Sequence, residues 1–238
     1  MSQQIKLGAL AIDIEFKNIK NVHLGVYPPH GRVRIAAPKG TSLDRIRVFA
    51  ISQLSWIKKQ QAKLREQLRE TPREYLNRES HFVWGKRFLL KVVREEAPPF
   101  IELQHAKMIL HVRPSASSDK CKAEVEQWYR DQIKKVAPRI IEKWEKILRL
   151  KVKAIYVQRM RTMWGSCSPA RKAIRLNTDL AKKPRQCLEY IILHEMIHLI
   201  EPTHNARFVS LMDKHMPRWP LLRRRLNDLP VRHEEWGY

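Results

Sequence analysis

The chain has 238 residues, of which 43% are hydrophobic and 30% charged, and this balance predicts a globular protein with a sizeable core. No apolar run approaches the roughly 18 residues that a membrane span needs, and the N-terminus lacks the pattern of a secretory signal, so we expect a cytoplasmic protein without membrane contact. Lys and Arg exceed Asp and Glu by 47 to 24, and the resulting charge of +23 would strengthen nucleic-acid binding without identifying a partner.

The first forty residues are predicted to be β-rich. Alternating apolar residues on either side of a turn signal at 28–31 predict a β-hairpin. Ser42 is a candidate N-cap for one long amphipathic helix over residues 42–69, in which the apolar spacing is interrupted at Gln61. No internal repeat is visible in the sequence.

The predicted helix carries a tryptophan among lysines, namely Trp56, Lys58, Lys59 and Lys63. Basic side chains beside an aromatic ring can contact the phosphates of a nucleic acid, but a solvated helix face is the simpler explanation. Two possibilities therefore stay open for the positive charge. It serves a nucleic-acid or nucleotide partner, or it is a basic surface without a role in recognition.

A second β-rich stretch covers residues 81–93 and 101–112, and polar and small residues predict a linker at 114–120. We therefore expect an α+β fold with two regions. Residues 1–117 form a β-rich N-terminal region with the long helix, and residues 118–238 form a mostly helical region.

The C-terminal region is predicted to alternate helices and short strands. Apolar spacing predicts a helix over 125–147, which Pro138 should kink or split. Two short strands are expected at 152–157 and 173–177. A further helix over 184–200 begins with a proline, which suits the first turn of a helix.

The clearest chemical signal in the chain is the motif His194-Glu195-Met196-Ile197-His198. Residues four apart lie on the same helix face, so both imidazoles project toward one point, where zinc at about 2.1 Å from each nitrogen fits. Glu195 is adjacent and can reach a water molecule at the metal. The flanking residues are apolar, so the helix should be buried, and a metal would supply the partner that buried polar groups need.

A third ligand is expected shortly after this motif. Pro202 ends the helix and lets the chain turn back, so His204 can add a third nitrogen and leave a fourth position for water. Glu201 competes with it, because Glu201 would share the face of His194 if the helix continued that far. His204 is favoured because a ligand on the returning segment closes the site from another side.

The segment HEMIHLIEPTHNARF, with Trp164-Gly165-Ser166-Cys167 upstream, resembles the YgjP-like metallopeptidases, which are related to the SprT zinc proteases. Residues 75–87 and the C-terminal residues 233–238 extend the resemblance. It implies a zincin-like fold for the catalytic region 118–238 but does not settle the substrate. The sequence departs from the family pattern at positions that are not metal ligands: Thr203, Asn205 and Val209.

The motif favours a zinc-dependent hydrolase, most simply a metallopeptidase. Zinc would polarise the scissile carbonyl, and Glu195 would take a proton from the zinc-held water and deliver it to the leaving amine. The strand around 174–177 is expected to hold an extended polypeptide by pairing at its edge.

Two other functions are compatible with the residues. One is hydrolysis of a nucleotide phosphoanhydride, as in a nucleoside triphosphate pyrophosphatase, with phosphate charge balanced by Arg159, Arg161 and Arg175. The chain has no Gly-rich phosphate loop, which argues against it. The other is a basic nucleic-acid-associated protein with a structural metal, although an open coordination position beside a glutamate argues against that role. Trp164 is a further candidate for substrate binding.

The cysteines are Cys121, Cys167 and Cys187. An odd number at this wide spacing predicts neither a disulfide framework nor a cysteine-rich zinc knuckle, so reduced structural thiols are expected. Cys167 is near the motif in the family pattern and is a candidate for an occasional metal ligand or a redox-sensitive thiol, although packing is the favoured role.

Overall fold

The structure is a computed structural model that describes residues 2–27, 31–66, 70, 73–160 and 162–230. The fold is α+β, as the sequence predicts. Contacts group the described residues into two compact units, which meet in sequence just after Glu70. Parts of several predicted features lie outside the described residues: the turn residues 28–30, the helix residues 67–69, Arg161 and the segment 233–238.

The first unit is a four-stranded sheet covered on one face by two helices. Its elements are β1 (Ser2–Leu7), β2 (Leu10–Lys17), β3 (His23–Tyr27), β4 (Arg32–Pro38), α1 (Leu43–Ser52) and α2 (Leu54–Glu66). The strand order is β1-β2-β4-β3, with β2 parallel to β4 and β3 antiparallel to β4, so the predicted hairpin is confirmed. Alternation places Ile12, Ile14 and Ile35 on the buried face, against Ile46 and Ile57 of the helices.

The helical part of this unit differs from the single helix expected. Ser42 accepts a hydrogen bond from the backbone N–H of Arg45 and so caps α1 as predicted. The predicted single helix is divided at Gln53 into α1 and α2, whereas Gln61 lies within α2. The side chain of Gln61 donates a 2.8 Å hydrogen bond to the carbonyl of Gly31, and this contact explains a polar residue on a half-buried helix face.

The second unit contains a four-stranded sheet, a three-stranded sheet and four helices within the described residues. Its elements are β5 (Ser80–Val83), β6 (Lys86–Arg94), β7 (Phe100–Gln104), β8 (Lys107–Val112), α3 (Ser118–Leu148), β9 (Ala154–Gln158), β10 (Gly165–Ser168), β11 (Ala173–Asn177), α4 (Arg185–Ile197), α5 (Ala206–His215) and α6 (Trp219–Asp228). The predicted boundary between 117 and 118 falls between β8 and α3, inside this unit.

The first four strands of each unit have the same topology. The order β5-β6-β8-β7 repeats β1-β2-β4-β3, with an antiparallel, a parallel and an antiparallel pairing in the same sequence. In both units a helix follows the fourth strand. Many different apolar sequences can form the same strand pairing and the same connections between strands. The structural repetition therefore leaves no visible repeat in the sequence.

The helix α3 is the longest element and runs unbroken through Pro138. Ser117 caps its first turn by accepting a hydrogen bond from the N–H of Lys120. Apolar residues at helical spacing, among them Ala137 and Ile141 on either side of the proline, are buried in the main core. Of the two effects expected of Pro138, a kink or a split, the split does not occur, because this packing stabilises the helix on both sides of the proline. Within the described residues, none of the helices combines the length and apolar character that crossing a membrane requires.

A truncation in α3 tests how much this core stabilises the second unit. Ile133 is fully buried, so Ile133→Ala should lower the free energy of unfolding by about 2 to 5 kcal/mol. Denaturant unfolding followed by tryptophan fluorescence measures the change. Lys134→Ala at the neighbouring exposed position is the control, and an equal loss in both variants would contradict this assignment of the core.

Candidate metal centre

The helix α4 carries the motif and is buried along most of its length. Leu188, Ile192 and Met196 are fully buried, because the apolar residues of this helix pack into the main core. His194 and His198 lie four residues apart and project from one side of the helix. The helix ends at Ile197, so the motif lies at its C-terminal end. His194, Glu195 and His198 line a cleft there.

Three imidazoles converge at the end of α4. The Nε2 atom of His204 lies 3.0 Å from Nε2 of His194 and 3.1 Å from Nε2 of His198. In the described part of the chain, these side chains form the group of potential metal ligands that are close enough to share an ion. Ligand nitrogens around a tetrahedral zinc are roughly 3.4 Å apart, so an opening of a few tenths of an ångström would accommodate the ion.

The turn after α4 determines which side chain lies beside His194 and His198. The backbone N–H of Glu201 still bonds to the carbonyl of Ile197, but the chain then leaves the helical path before Pro202. The Glu201 carboxylate accepts a 3.1 Å hydrogen bond from the Thr203 hydroxyl and is not part of the histidine group. The structure therefore brings His204, and not Glu201, to His194 and His198.

The same turn sets the tautomer of His198. Its Nδ1 atom lies 3.0 Å from the backbone carbonyl of Glu201, so Nδ1 carries the proton and donates a hydrogen bond to that oxygen. The lone pair of Nε2 then points toward the other two rings. A hydrogen bond of this kind on the far nitrogen is the usual support for a metal-ligating histidine.

Phe208 packs against all three imidazoles. Its ring centroid lies 4.9 Å from that of His194 and 4.7 Å from those of His198 and His204. The side chain is 2% exposed, and Asn205 caps the start of α5 by accepting a hydrogen bond from the N–H of Phe208. The ring therefore limits the rotation of each imidazole.

The surroundings favour the neutral form of His194 and His204. Burial, the neighbouring His198 and His204 and the guanidinium of Arg223 lower the pKa of His194 to about 3. Burial, His198 and Arg223 also lower the pKa of His204. Neutral imidazole is the form that binds a metal, and a cation would relieve the repulsion between converging lone pairs. The donor set of three nitrogens with space for a fourth ligand suits zinc.

Glu195 lines the same cleft as the histidines, and only 5% of its surface is exposed. Burial raises the pKa of its carboxyl to about 8, and a divalent cation nearby would lower it again. The strand β10 passes close to it at Gly165. A Cβ at that position would lie 2.7 Å from Oε1 of Glu195 and 2.9 Å from Cγ2 of Ile191, so only glycine allows this approach without a shift.

The histidines and Glu195 lie in a cleft of about 940 Å³. Tyr190 and Trp219 form part of its wall, with their rings stacked at 13° and a centroid distance of 6.4 Å. Arg223 also lines the cleft. Tyr190 is four residues before His194, so helical spacing could have placed it at the site, but nothing in the sequence links Trp219 or Arg223 to the motif.

Only some of the candidate substrate-binding residues can be placed at the cleft. Trp164 lines the cleft, whereas Arg159 and Arg175 are not among the described residues that line it. Arg175 pairs across β11 and β9 with Tyr156, and its guanidinium lies 5.7 Å from that ring, on the sheet face opposite Gly165. Arg161 lies outside the described residues.

The loop before Trp164 is anchored by Asn177. The amide of this buried side chain donates hydrogen bonds of 2.8 Å to the carbonyls of Met160 and Met163, and its oxygen accepts one of 3.1 Å from the N–H of Asp179. The backbone N–H of Asn177 also bonds to the carbonyl of Trp164. One residue of β11 thus fixes the segment that leads into the cleft.

Cys167 lines the cleft but is outside the group of potential ligands. Burial and the Glu195 carboxylate raise the pKa of its thiol to about 11. The thiol therefore stays protonated at neutral pH, which disfavours both metal binding and reaction with oxidants. This result supports the packing role that was favoured for it.

An α+β fold in which three histidines and a buried glutamate meet in one cleft is the arrangement of a metallohydrolase. Comparison with known families agrees. A family model described as "YgjP-like, metallopeptidase domain" matches residues 20–229. The chain belongs to the YgjP-like metallopeptidase family.

Two solved structures are similar to part of the chain. The metallopeptidase zymogen abylysin of Pyrococcus abyssi is 20% identical, with 37% of this chain and 90% of that one covered at a TM-score of 0.35. The zymogen jannalysin of Methanocaldococcus jannaschii is 22% identical, with 37% and 91% covered at a TM-score of 0.34. No curated protein matches the chain.

Removing the Phe208 ring should weaken metal binding. Phe208→Ala frees the three imidazoles to rotate, so the dissociation constant for zinc should rise about tenfold or more, as measured by competition with a chromophoric chelator. Phe208→Leu, which keeps most of the apolar volume, should bind zinc more tightly than Phe208→Ala. Equal affinity in wild type and Phe208→Ala would show that the ring does not hold the ligands.

A methyl group at position 165 should displace Glu195 and leave the three histidines in place. Gly165→Ala should reduce hydrolysis at least about tenfold while zinc content stays near that of wild type, because the new Cβ meets Glu195 and not a histidine. Ser168→Ala, which is on the opposite face of β10 and does not line the cleft, is the control. Unchanged turnover in Gly165→Ala would mean that Glu195 tolerates the shift.

Proposed function

We propose that this protein is a zinc-dependent peptidase in which His194, His198 and His204 hold the metal and Glu195 is the general base. The observation that carries the proposal is the convergence of three imidazoles beside a buried carboxylate in one cleft. Family membership supports peptide-bond hydrolysis as the reaction class. In this proposal the residues from 118 onward form the catalytic region.

Zinc would supply a Lewis acid that polarises the scissile carbonyl and acidifies a water molecule. Glu195 accepts the proton of that water on its carboxylate and then donates it to the nitrogen of the leaving amine. The low exposure of Glu195 excludes bulk water from this transfer. His198 keeps its orientation through the Glu201 carbonyl, and Phe208 keeps all three rings in position.

The structure corrects the expected site of substrate pairing. The strand β11 lies between β10 and β9, so its backbone groups are already paired and 174–177 cannot be an edge. In the described part of this sheet β10 is an edge strand, and Gly165, Ser166 and Cys167 line the cleft. An extended polypeptide would therefore pair with β10, which passes beside Glu195.

Nucleotide hydrolysis receives less support from the placement of the arginines. Phosphate charge was expected to meet Arg159, Arg161 and Arg175, but neither Arg159 nor Arg175 lines the cleft in the described residues. A polypeptide is the substrate that the family implies. Nucleic-acid binding through the basic surface and a cytoplasmic location stay as predictions.

Glu195→Gln tests the proposal. Zinc-loaded wild type should cleave members of a panel of unfolded polypeptides, and Glu195→Gln should lose at least about 10²-fold in turnover while it keeps about one zinc per chain. Glu189→Gln on the same helix is the matched control. Cleavage by Glu195→Gln at the wild-type rate would remove Glu195 from the mechanism.

The ligand assignment has its own test by elemental analysis. His194→Ala, His198→Ala and His204→Ala should each lower zinc content, because each removes one of three converging nitrogens. Glu201→Ala should retain the metal. Loss of zinc in Glu201→Ala but not in His204→Ala would show that the third ligand is Glu201.

A further inference from the structure

One face of α6 is directed at the cleft. Trp219 stacks on Tyr190 and donates a 2.8 Å hydrogen bond from Nε1 to Asp213, and Leu226 is buried in the main core. Arg223 lies four residues after Trp219 and three before Leu226, so it shares their side of the helix. These contacts fix α6 against α4 and place Arg223 in the wall of the cleft.

The charges that line this cleft are few. Among the described lining residues, Glu195 supplies the acidic group and Arg223 the permanently charged base. None of the described carboxylates forms an ion pair with Arg223, whereas Trp219 on the same helix face is held by Asp213. Arg223 is exposed, so its guanidinium is accessible from the solvent side of the cleft.

A cation without an acidic partner beside a metal centre is unfavourable on its own, because it repels a bound dication. The arrangement becomes favourable when an anion binds near both. A guanidinium is planar and donates two parallel hydrogen bonds to a carboxylate, which gives geometric selection as well as attraction. In a peptide substrate, the anions of this kind are the C-terminal carboxylate and the side chains of Asp and Glu.

We propose that Arg223 forms a carboxylate-binding subsite beside the metal centre, which selects peptides that carry a carboxylate close to the scissile bond. This inference rests on the proposed peptidase function and adds the class of substrate. The surrounding wall of Trp164, Tyr190 and Trp219 is aromatic and supplies no competing acid. Arg224, the next residue on α6, is exposed and does not line the cleft, so it serves as a matched control.

The first test uses ligands that anchor on zinc and do not depend on peptide sequence. The probes are the monohydroxamates of succinic, glutaric, adipic and pimelic acid, each compared with its terminal amide. For at least one chain length, zinc-loaded wild type should bind the carboxylate about three- to tenfold more tightly than the amide. Arg223→Gln should lose that preference, Arg223→Lys should keep part of it, and Arg224→Gln should retain it in full.

Each other outcome has a definite meaning. A wild-type protein that binds acid and amide equally at every chain length, or an Arg223→Gln variant that keeps the preference, overturns the subsite and leaves the metal centre standing. A zinc-treated wild type that binds neither kind of hydroxamate overturns the proposed metal centre, and the subsite falls with it.

A second measurement distinguishes the two sources of the carboxylate. Zinc-loaded Glu195→Gln is titrated with peptides that end in a free acid or an amide, and with peptides that carry Asp or Asn at an internal position. A preference for the free acid that Arg223→Gln abolishes assigns the subsite to the C-terminus, and the same result for Asp over Asn assigns it to an acidic side chain. Tight binding of these peptides without either preference contradicts the proposal.

Discussion

Three imidazoles meet around one point at the end of α4, and the surrounding contacts hold them in this position. Several contacts restrain the rings. His198 is held by the carbonyl of Glu201, His194 by the buried helix that carries it, and all three rings by Phe208. Converging lone pairs repel one another, so this arrangement is stable only when surrounding packing opposes the repulsion or a cation removes it.

The second constraint is the close approach of a strand to the same helix. Gly165 lets β10 pass within contact distance of Glu195 and Ile191, and this closeness brings a strand edge beside the proposed base. Asn177 holds the preceding loop through the carbonyls of Met160 and Met163. In the proposed mechanism, substrate pairing and proton transfer would both depend on one junction between β10 and α4, where a single added methyl group meets the carboxylate.

Electrostatics distinguishes this cleft from the rest of a basic chain. The net charge of +23 is spread along the sequence. The electrostatics of the cleft, in contrast, depend on the few charged side chains that line it. The buried Glu195 has a raised pKa, His194 has a lowered one, and Arg223 stands at the wall without an acidic partner in the described residues. An anionic group of the substrate would complement this distribution, because the cleft is short of negative charge.

The sequence alone determined the features that depend on neighbours along the chain. Two histidines four residues apart lie on one helix face whatever the rest of the fold does, and Ser42 and Ser117 cap helices through their own backbone neighbours. The rest was decided by contacts between distant segments. The sequence predicts 174–177 as the edge for substrate pairing, but because β11 lies between β10 and β9, β10 is the edge strand in the described residues. Gly165 and Arg223 acquire their roles only because β10 and α6 pack against α4, and segments separated by tens of residues carry no local signal of that packing.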